Sequence, residues 1–321
     1  MDRLKRYQET DENDDTVRIL QAFLLHLPLE GKRNLERDIR KFELDSDVKK
    51  HMMSLVFHLL LPMRSRKTPV TTPLSPCPDV QADVEEQYSE LIQAQKRLKV
   101  LKQECLLRDG NACTISQVRD RETVSADENI KFRCLTQCAH ILRFSLSTWN
   151  SDAWARERSV VWVALQRCFP ALDSLAVRFR HSDINDHRNN VTMETMLHVM
   201  FGEFSFSLMP IDGRVDEYSI KRWGEPNTLD YYLSTDITTV KFNNHGTRFD
   251  LPSPDLLKVH PIVAEIFHAS GRADFITNIL RDMDDEGIFA ENVSSDLSEM
   301  LWASDLAYLG EGDYTCVFVP V

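Results

Sequence analysis

The 321-residue sequence contains no apolar run long enough to cross a bilayer. A spanning helix takes about 20 apolar residues, and the longest apolar stretch here, Leu55–Pro62, is short and includes His58. No membrane association is expected. Met1–Asp15 alternates acids and bases and lacks the apolar stretch, roughly 7–15 residues, that a secretory signal needs. Dense cysteine spacing is also missing. The seven cysteines stand at 77, 105, 113, 134, 138, 168 and 316, an odd and scattered set that excludes a disulfide-stapled scaffold and points to reduced thiols in an intracellular protein. Positive charge is scarce as well: the net charge is −12, which excludes a protein that coats nucleic acid through a global positive field. Most of that charge lies at one end. From Arg281 onward ten acids face that single base, so the rest of the chain is only mildly acidic and still has room for a local basic surface.

Against these absences, hydrophobic residues make up 42% and charged residues 27%, the balance of a folded soluble chain, and the length suggests about two compact units. Apolar groups at helical spacing (Val17, Leu20, Phe23, Leu24, then Leu35, Ile39, Phe42) predict helices over Thr16–Leu27 and Gly31–Met63. Residues 1–67 thus read as a helical amino-terminal region, a surface for protein partners. Thr68–Asp79 carries prolines at 69, 73, 76 and 78, which neither a helix nor a central strand accepts, so 68–80 reads as a linker. Gln81–Leu107 is helical and stops at Asp109-Gly110, where a left-handed cap would stop it. Its basic residues, Lys96, Arg97, Lys99, Lys102 and Arg108, read first as a solvated face and second as a phosphate contact. Lys131–Leu146 is strand-like, Trp149–Cys168 a helical insert, and Asn189–Phe201 a passage from strand to helix. Phe204–Met209 alternates with period two, and Tyr218–Trp223, Thr238–Phe242 and Arg248–Leu251 are further strand candidates. Ser253-Pro254 opens a helix. The domains expected are 81–210, an extension over 211–280, and an acidic segment over 281–321.

Three blocks stand in order: Arg108-Asp109-Gly110-Asn111-Ala112-Cys113, then Ala139-His140-Ile141-Leu142-Arg143-Phe144-Ser145-Leu146, then Asn189-Asn190-Val191-Thr192-Met193 followed by Leu197-His198-Val199-Met200-Phe201. This set resembles the fungal-type HNH nuclease family, whose pattern runs RDGxxC, AHIxPFSL, NGxxL and LHxxF. The stretch Val259-His260-Pro261-Ile262-Val263-Ala264 with Phe267-His268-Ala269-Ser270-Gly271 resembles the region that follows the nuclease core in that family. The resemblance implies an α+β protein with a ββα-metal (HNH) core, preceded by the helical amino-terminal region and followed by a mixed strand and helix extension. It implies a metal-dependent endonuclease acting on nucleic acid, DNA above RNA, in the nucleus or the cytoplasm. Phosphodiester hydrolysis needs an activated water, a base to take its proton, and a cation to neutralise the phosphate. By resemblance His140 is the base, suited by an imidazole that titrates near neutrality. Asn189 holds that imidazole or the adjacent loop, and His198 offers a ring nitrogen to the metal, magnesium or manganese with zinc as the alternative.

The chain departs from the pattern at particular positions. The family's anionic ligand stands one or three residues before the histidine, on one strand face. Here those positions are Ala139 and Gln137, so Gln137 is a degenerate ligand, its amide oxygen a poor partner for a hard cation. Asn190 replaces a glycine, Arg143 a proline, Ser116-Gln117 a Thr-Gly, and Gly202 the acid that many relatives carry after the phenylalanine. Asp183, Asp186 and His187 are candidate substitute ligands, or else loop caps. Cys113, Cys134 and Cys138 admit a structural zinc reading, but buried thiols fit the missing fourth ligand better. Two functions stay open: the nuclease, and a catalytically inactive HNH-fold scaffold that binds protein or nucleic acid.

Overall fold

The computed structural model describes residues 2–64, 99–123, 131–143, 161–174, 177–179, 183–224, 228–272 and 275–277. The linker at 68–80, most of the expected 81–107 helix, the first part of the Trp-rich insert and the acidic 281–321 segment lie outside the described residues. The chain divides into two compact units, each discontinuous in sequence: 1–65 with 151–178 and 262–321, and 66–150 with 179–261.

The first unit is helical among the described residues. Thr16–His26 buries Ile19, Leu20, Phe23 and Leu24 at helical spacing, and Leu29–Lys41 buries Leu35 and Ile39. The single helix expected over Gly31–Met63 is broken. Phe42 adopts an extended conformation, and Arg3 fixes the break by donating to the carbonyls of Phe42 (2.8 Å) and Glu43 (3.2 Å) while pairing with Asp45 at 2.6 Å. A new helix starts at Asp45, whose first turn carries Asp45 and Asp47 as the helix dipole favours. It continues through a π-helical turn, Val56–Leu60, into Leu61–Arg64, so the longest apolar run is a buried core helix. No helix among the described residues is long and apolar enough to cross a membrane.

The second unit holds the three sequence blocks. A helix over 99–108 ends at Gly110 and Asn111, with φ of 71° and 57°, and the Asn111 N–H closes it onto the Leu106 carbonyl at 2.8 Å. Glycine suits position 110 on two counts. Its φ favours glycine, and an added Cβ would lie 2.8 Å from the His245 ring. Strands β1 (Arg119–Asp120) and β2 (Arg133–Cys134) pair in parallel. Strands β3 (Thr136–His140) and β4 (Asn190–Glu194) pair antiparallel, and β4 leads straight into the helix Thr195–Gly202. A separate antiparallel sheet runs β5 (Phe206–Pro210), β6 (Glu217–Arg222) and β7 (Thr239–Lys241) in order. Arg248–Leu251, expected as a strand, is not one. Its carbonyls serve side chains instead: Asn244 donates to Phe249 and Arg108 to Asp250, so no ladder forms.

The 99–108 helix and β4 are joined by Arg108 and Asp109, both fully buried. Arg108 donates to both Asp109 carboxylate oxygens (2.7 and 2.9 Å) and to the carbonyls of His187, Asp250 and Asn190 at 2.8 to 2.9 Å. Asp109 in turn accepts from the Thr192 N–H at 3.1 Å. The first sequence block is therefore a polar clamp inside the unit.

Helix Pro254–Ala269 begins at its proline, as the sequence predicts, and its residues are shared between the two units. His260 is buried within the second unit, donates to the Phe201 carbonyl at 2.9 Å and stacks on the Phe201 ring at 3.7 Å. Burial lowers its pKa to about 3, and burial lowers that of His51 in the first unit to about 4. Between those values and the unperturbed pKa of about 6.5 the unfolded chain binds more protons than the folded one. Stability is therefore expected to fall as the pH drops from about 6.5 towards 4. Denaturant titrations across that range should show the slope reduced in His260→Gln, which keeps a donor for Phe201 but does not titrate; an unchanged slope contradicts the assignment.

Candidate functional site

The site is built where β3 ends. In the register of β3 and β4, His140 lies opposite Asn190 and Thr136 opposite Glu194. Side chains alternate along a strand, so Cys138 and His140 share one face of β3 while Gln137 and Ala139 share the other. Ala139 is fully buried and Gln137 exposed. Thr136 is held by Asp120, whose carboxylate accepts from its N–H (3.0 Å) and hydroxyl (2.6 Å).

His140 is half-buried, with Nε2 3.0 Å from Asn185 Oδ1. With the amide oxygen accepting, the ring proton sits on Nε2 and Nδ1 is the basic nitrogen. Burial lowers the imidazole pKa, the Arg143 charge lowers it further, and the Asn185 bond opposes both. The ring is neutral at neutral pH and able to take a proton. Asn185 gave no signal in sequence, since it sits between the Asp183 and Asp186 that drew notice as candidate ligands.

Asn189 is fully buried, and its amide spans the loop that follows His140. Its Oδ1 accepts from the Leu142 N–H at 2.8 Å, and its Nδ2 donates to the carbonyls of Leu142 (2.8 Å) and Ile184 (2.9 Å). The Ile141 N–H donates to the Asn189 carbonyl. Asn189→Ala leaves three buried groups without these partners, at a cost of at least about 2 kcal/mol. Urea unfolding should show that loss; a midpoint equal to the wild type would contradict it.

The two positions that resemblance assigns to metal are in contact, His198 Nδ1 bonding Gln137 Oε1. Gly202 follows His198 by four residues and so lies on the same helix face, one turn on. It carries no side chain, and the Arg143 guanidinium donates to its carbonyl. The candidate substitutes make contacts of their own. Asp186 caps the turn at His187–Asn189 and bonds Arg188 through both oxygens; burial raises its pKa, but the Arg188 bonds outweigh burial and the net shift is downward. His187 stacks on Phe249 and bonds Glu104 at 2.9 Å. The Asp183 carbonyl accepts the Asp186 N–H. Cys113 is buried, and Cys138 Sγ lies 3.3 Å from Asn190 Oδ1. Burial pushes the Cys113 thiol up and the Cys134 thiol up to about 12, away from the thiolate that zinc requires.

A resident magnesium or manganese ion takes hard, preferably anionic oxygen ligands. Gln137, His198 and Gly202 supply one neutral amide oxygen and one imidazole already bonded to each other. Among the described residues no three His, Cys, Asp or Glu side chains come together as a ligand set. This donor set does not fit a resident divalent cation.

No curated protein and no solved structure matches the chain. Residues 113–209, from Cys113 at the end of the first block through most of β5, match a family model described as HNH endonuclease, a family that generally uses a divalent metal. That match supports an HNH nuclease family for this part of the chain.

Proposed function

We propose that residues 113–209 act as an HNH-type endonuclease unit that hydrolyses phosphodiester bonds of nucleic acid, DNA above RNA, with His140 as general base. The observation that carries the reading is the state of His140: at the end of β3, held by Asn185 through Nε2, followed by a loop that Asn189 locks, and kept neutral by burial. In the reaction, the oxygen of a water bonds to phosphorus while its proton passes to His140 Nδ1. The bond from phosphorus to the leaving sugar oxygen breaks, that oxygen takes a proton from solvent, and the imidazolium returns its own to solvent. Because the base must be neutral, the rate should fall with acid once the pH passes below the lowered pKa of His140.

The contact between Gln137 and His198 favours a second reading, a scaffold that binds nucleic acid without cutting it. Gel assays of purified full chain on supercoiled plasmid and on a structured RNA separate the two. Cleavage that is lost in His140→Ala supports the enzyme; a folded wild type that binds either polymer and cuts neither supports the scaffold.

A further inference from the structure

Two departures from the family pattern, 59 residues apart in sequence, meet in the fold. Gly202 stands where many relatives of the resembled family carry an acid, and Arg143 where that family has proline. An added Cβ on Gly202 would lie 2.3 Å from Arg143 Nη2 and 3.2 Å from its Cζ, and Nη2 donates to the Gly202 carbonyl. Gly202 ends its helix and is not among the positive-φ glycines, so no backbone strain calls for it. The guanidinium fills the volume where a side chain at 202 would begin, and the far end of Arg143 would have to move aside for one. The same helix face carries His198 one turn earlier, bonded to Gln137, and neither is an anion. Arg143 also lies close enough to His140 for its charge to act on the imidazole. The result is a fixed positive charge, half-buried, beside the proposed base and on the side of the helix where the resembled family places its ligands.

We propose that the Arg143 guanidinium takes the place of the metal ion, contacting a phosphate oxygen of the nucleic acid directly and supplying the positive charge that the phosphodiester needs. The planar guanidinium suits this role, because its N–H groups form a fork that matches phosphate geometry and its charge does not titrate. The proposal rests on the reading of the 113–209 region as a phosphodiester-recognising unit, but not on whether that unit completes hydrolysis.

The test uses the full chain and a fluorescein-labelled DNA duplex in excess EDTA, read by fluorescence anisotropy. Wild type should bind in EDTA, and Arg143→Ala should weaken binding about 10-fold, the loss of one charge-assisted phosphate contact. Arg214→Ala, which removes an exposed arginine paired with Glu217, controls for net charge and should change the affinity less than about 2-fold. A second arm keeps the proposal falsifiable where Arg143→Ala fails to fold. The combined variant Gln137→Glu, Arg143→Pro, Gly202→Asp should gain stoichiometric Mn²⁺ binding by titration calorimetry that wild type lacks. Affinity unchanged in a folded Arg143→Ala, or tight stoichiometric Mn²⁺ binding by wild type, overturns the proposal. Arg143-dependent binding without cleavage would uphold it while removing the hydrolytic reading, so the two fail separately.

Discussion

Arg108→Ala should unfold the 66–150 and 179–261 unit or leave it barely folded. The side chain is wholly buried and makes five hydrogen bonds, two to the Asp109 carboxylate and three to carbonyls drawn from two separate segments, 187–190 and the loop at Asp250. Removing it strands a buried carboxylate whose remaining bond is to the Thr192 N–H. Losing one partner of a buried pair costs about 3–5 kcal/mol, a large part of the roughly 5–15 kcal/mol that holds a domain together. Lysine should not rescue it, because an ammonium cannot reproduce the bidentate fork. Arg108→Met with Asp109→Leu should recover stability over Arg108→Ala, since it removes the stranded charge as well. Urea unfolding followed by far-ultraviolet circular dichroism measures all three; a single variant as stable as the wild type would refute the clamp.

His140→Ala should behave in the opposite way, with cleavage lowered about 10²- to 10⁴-fold, the usual contribution of a positioned general base, and the unfolding midpoint little changed. The imidazole is half-buried where Arg108 is wholly buried, and it bonds the Asn185 amide in the loop before β4. The contrast separates chemistry from folding. A cleavage loss that tracks a stability loss across His140→Ala and Asn189→Ala would mean that His140 acts only as a structural residue.

The parts of the site legible in the sequence were those written as local pattern. The left-handed cap at Gly110 and the Pro254 helix start come from short-range backbone rules, and β3, β4 and the following helix come from blocks whose residues are adjacent in the chain. Positions 137 and 198 were singled out by the resemblance, with strand alternation adding that 137 and 139 share a face; their contact with each other was not read from the sequence. What was not legible depends on distant partners. Arg143 and Gly202 looked like two unrelated departures until the fold put a guanidinium where a side chain would start. Asn185 carries no pattern of its own and matters through the imidazole it meets. Arg248–Leu251 alternated like a strand, yet its carbonyls are claimed by Arg108 and Asn244, and no periodicity records that. The break after Lys41 likewise depends on Arg3, far earlier in the chain.

The most direct test of the account is a time course of supercoiled plasmid nicking by purified full chain, run for wild type and His140→Ala with Mn²⁺ and with EDTA. The account predicts nicking by wild type in both solutions and its loss in a folded His140→Ala. A folded wild type that binds the plasmid and leaves it supercoiled in both solutions would contradict the endonuclease reading.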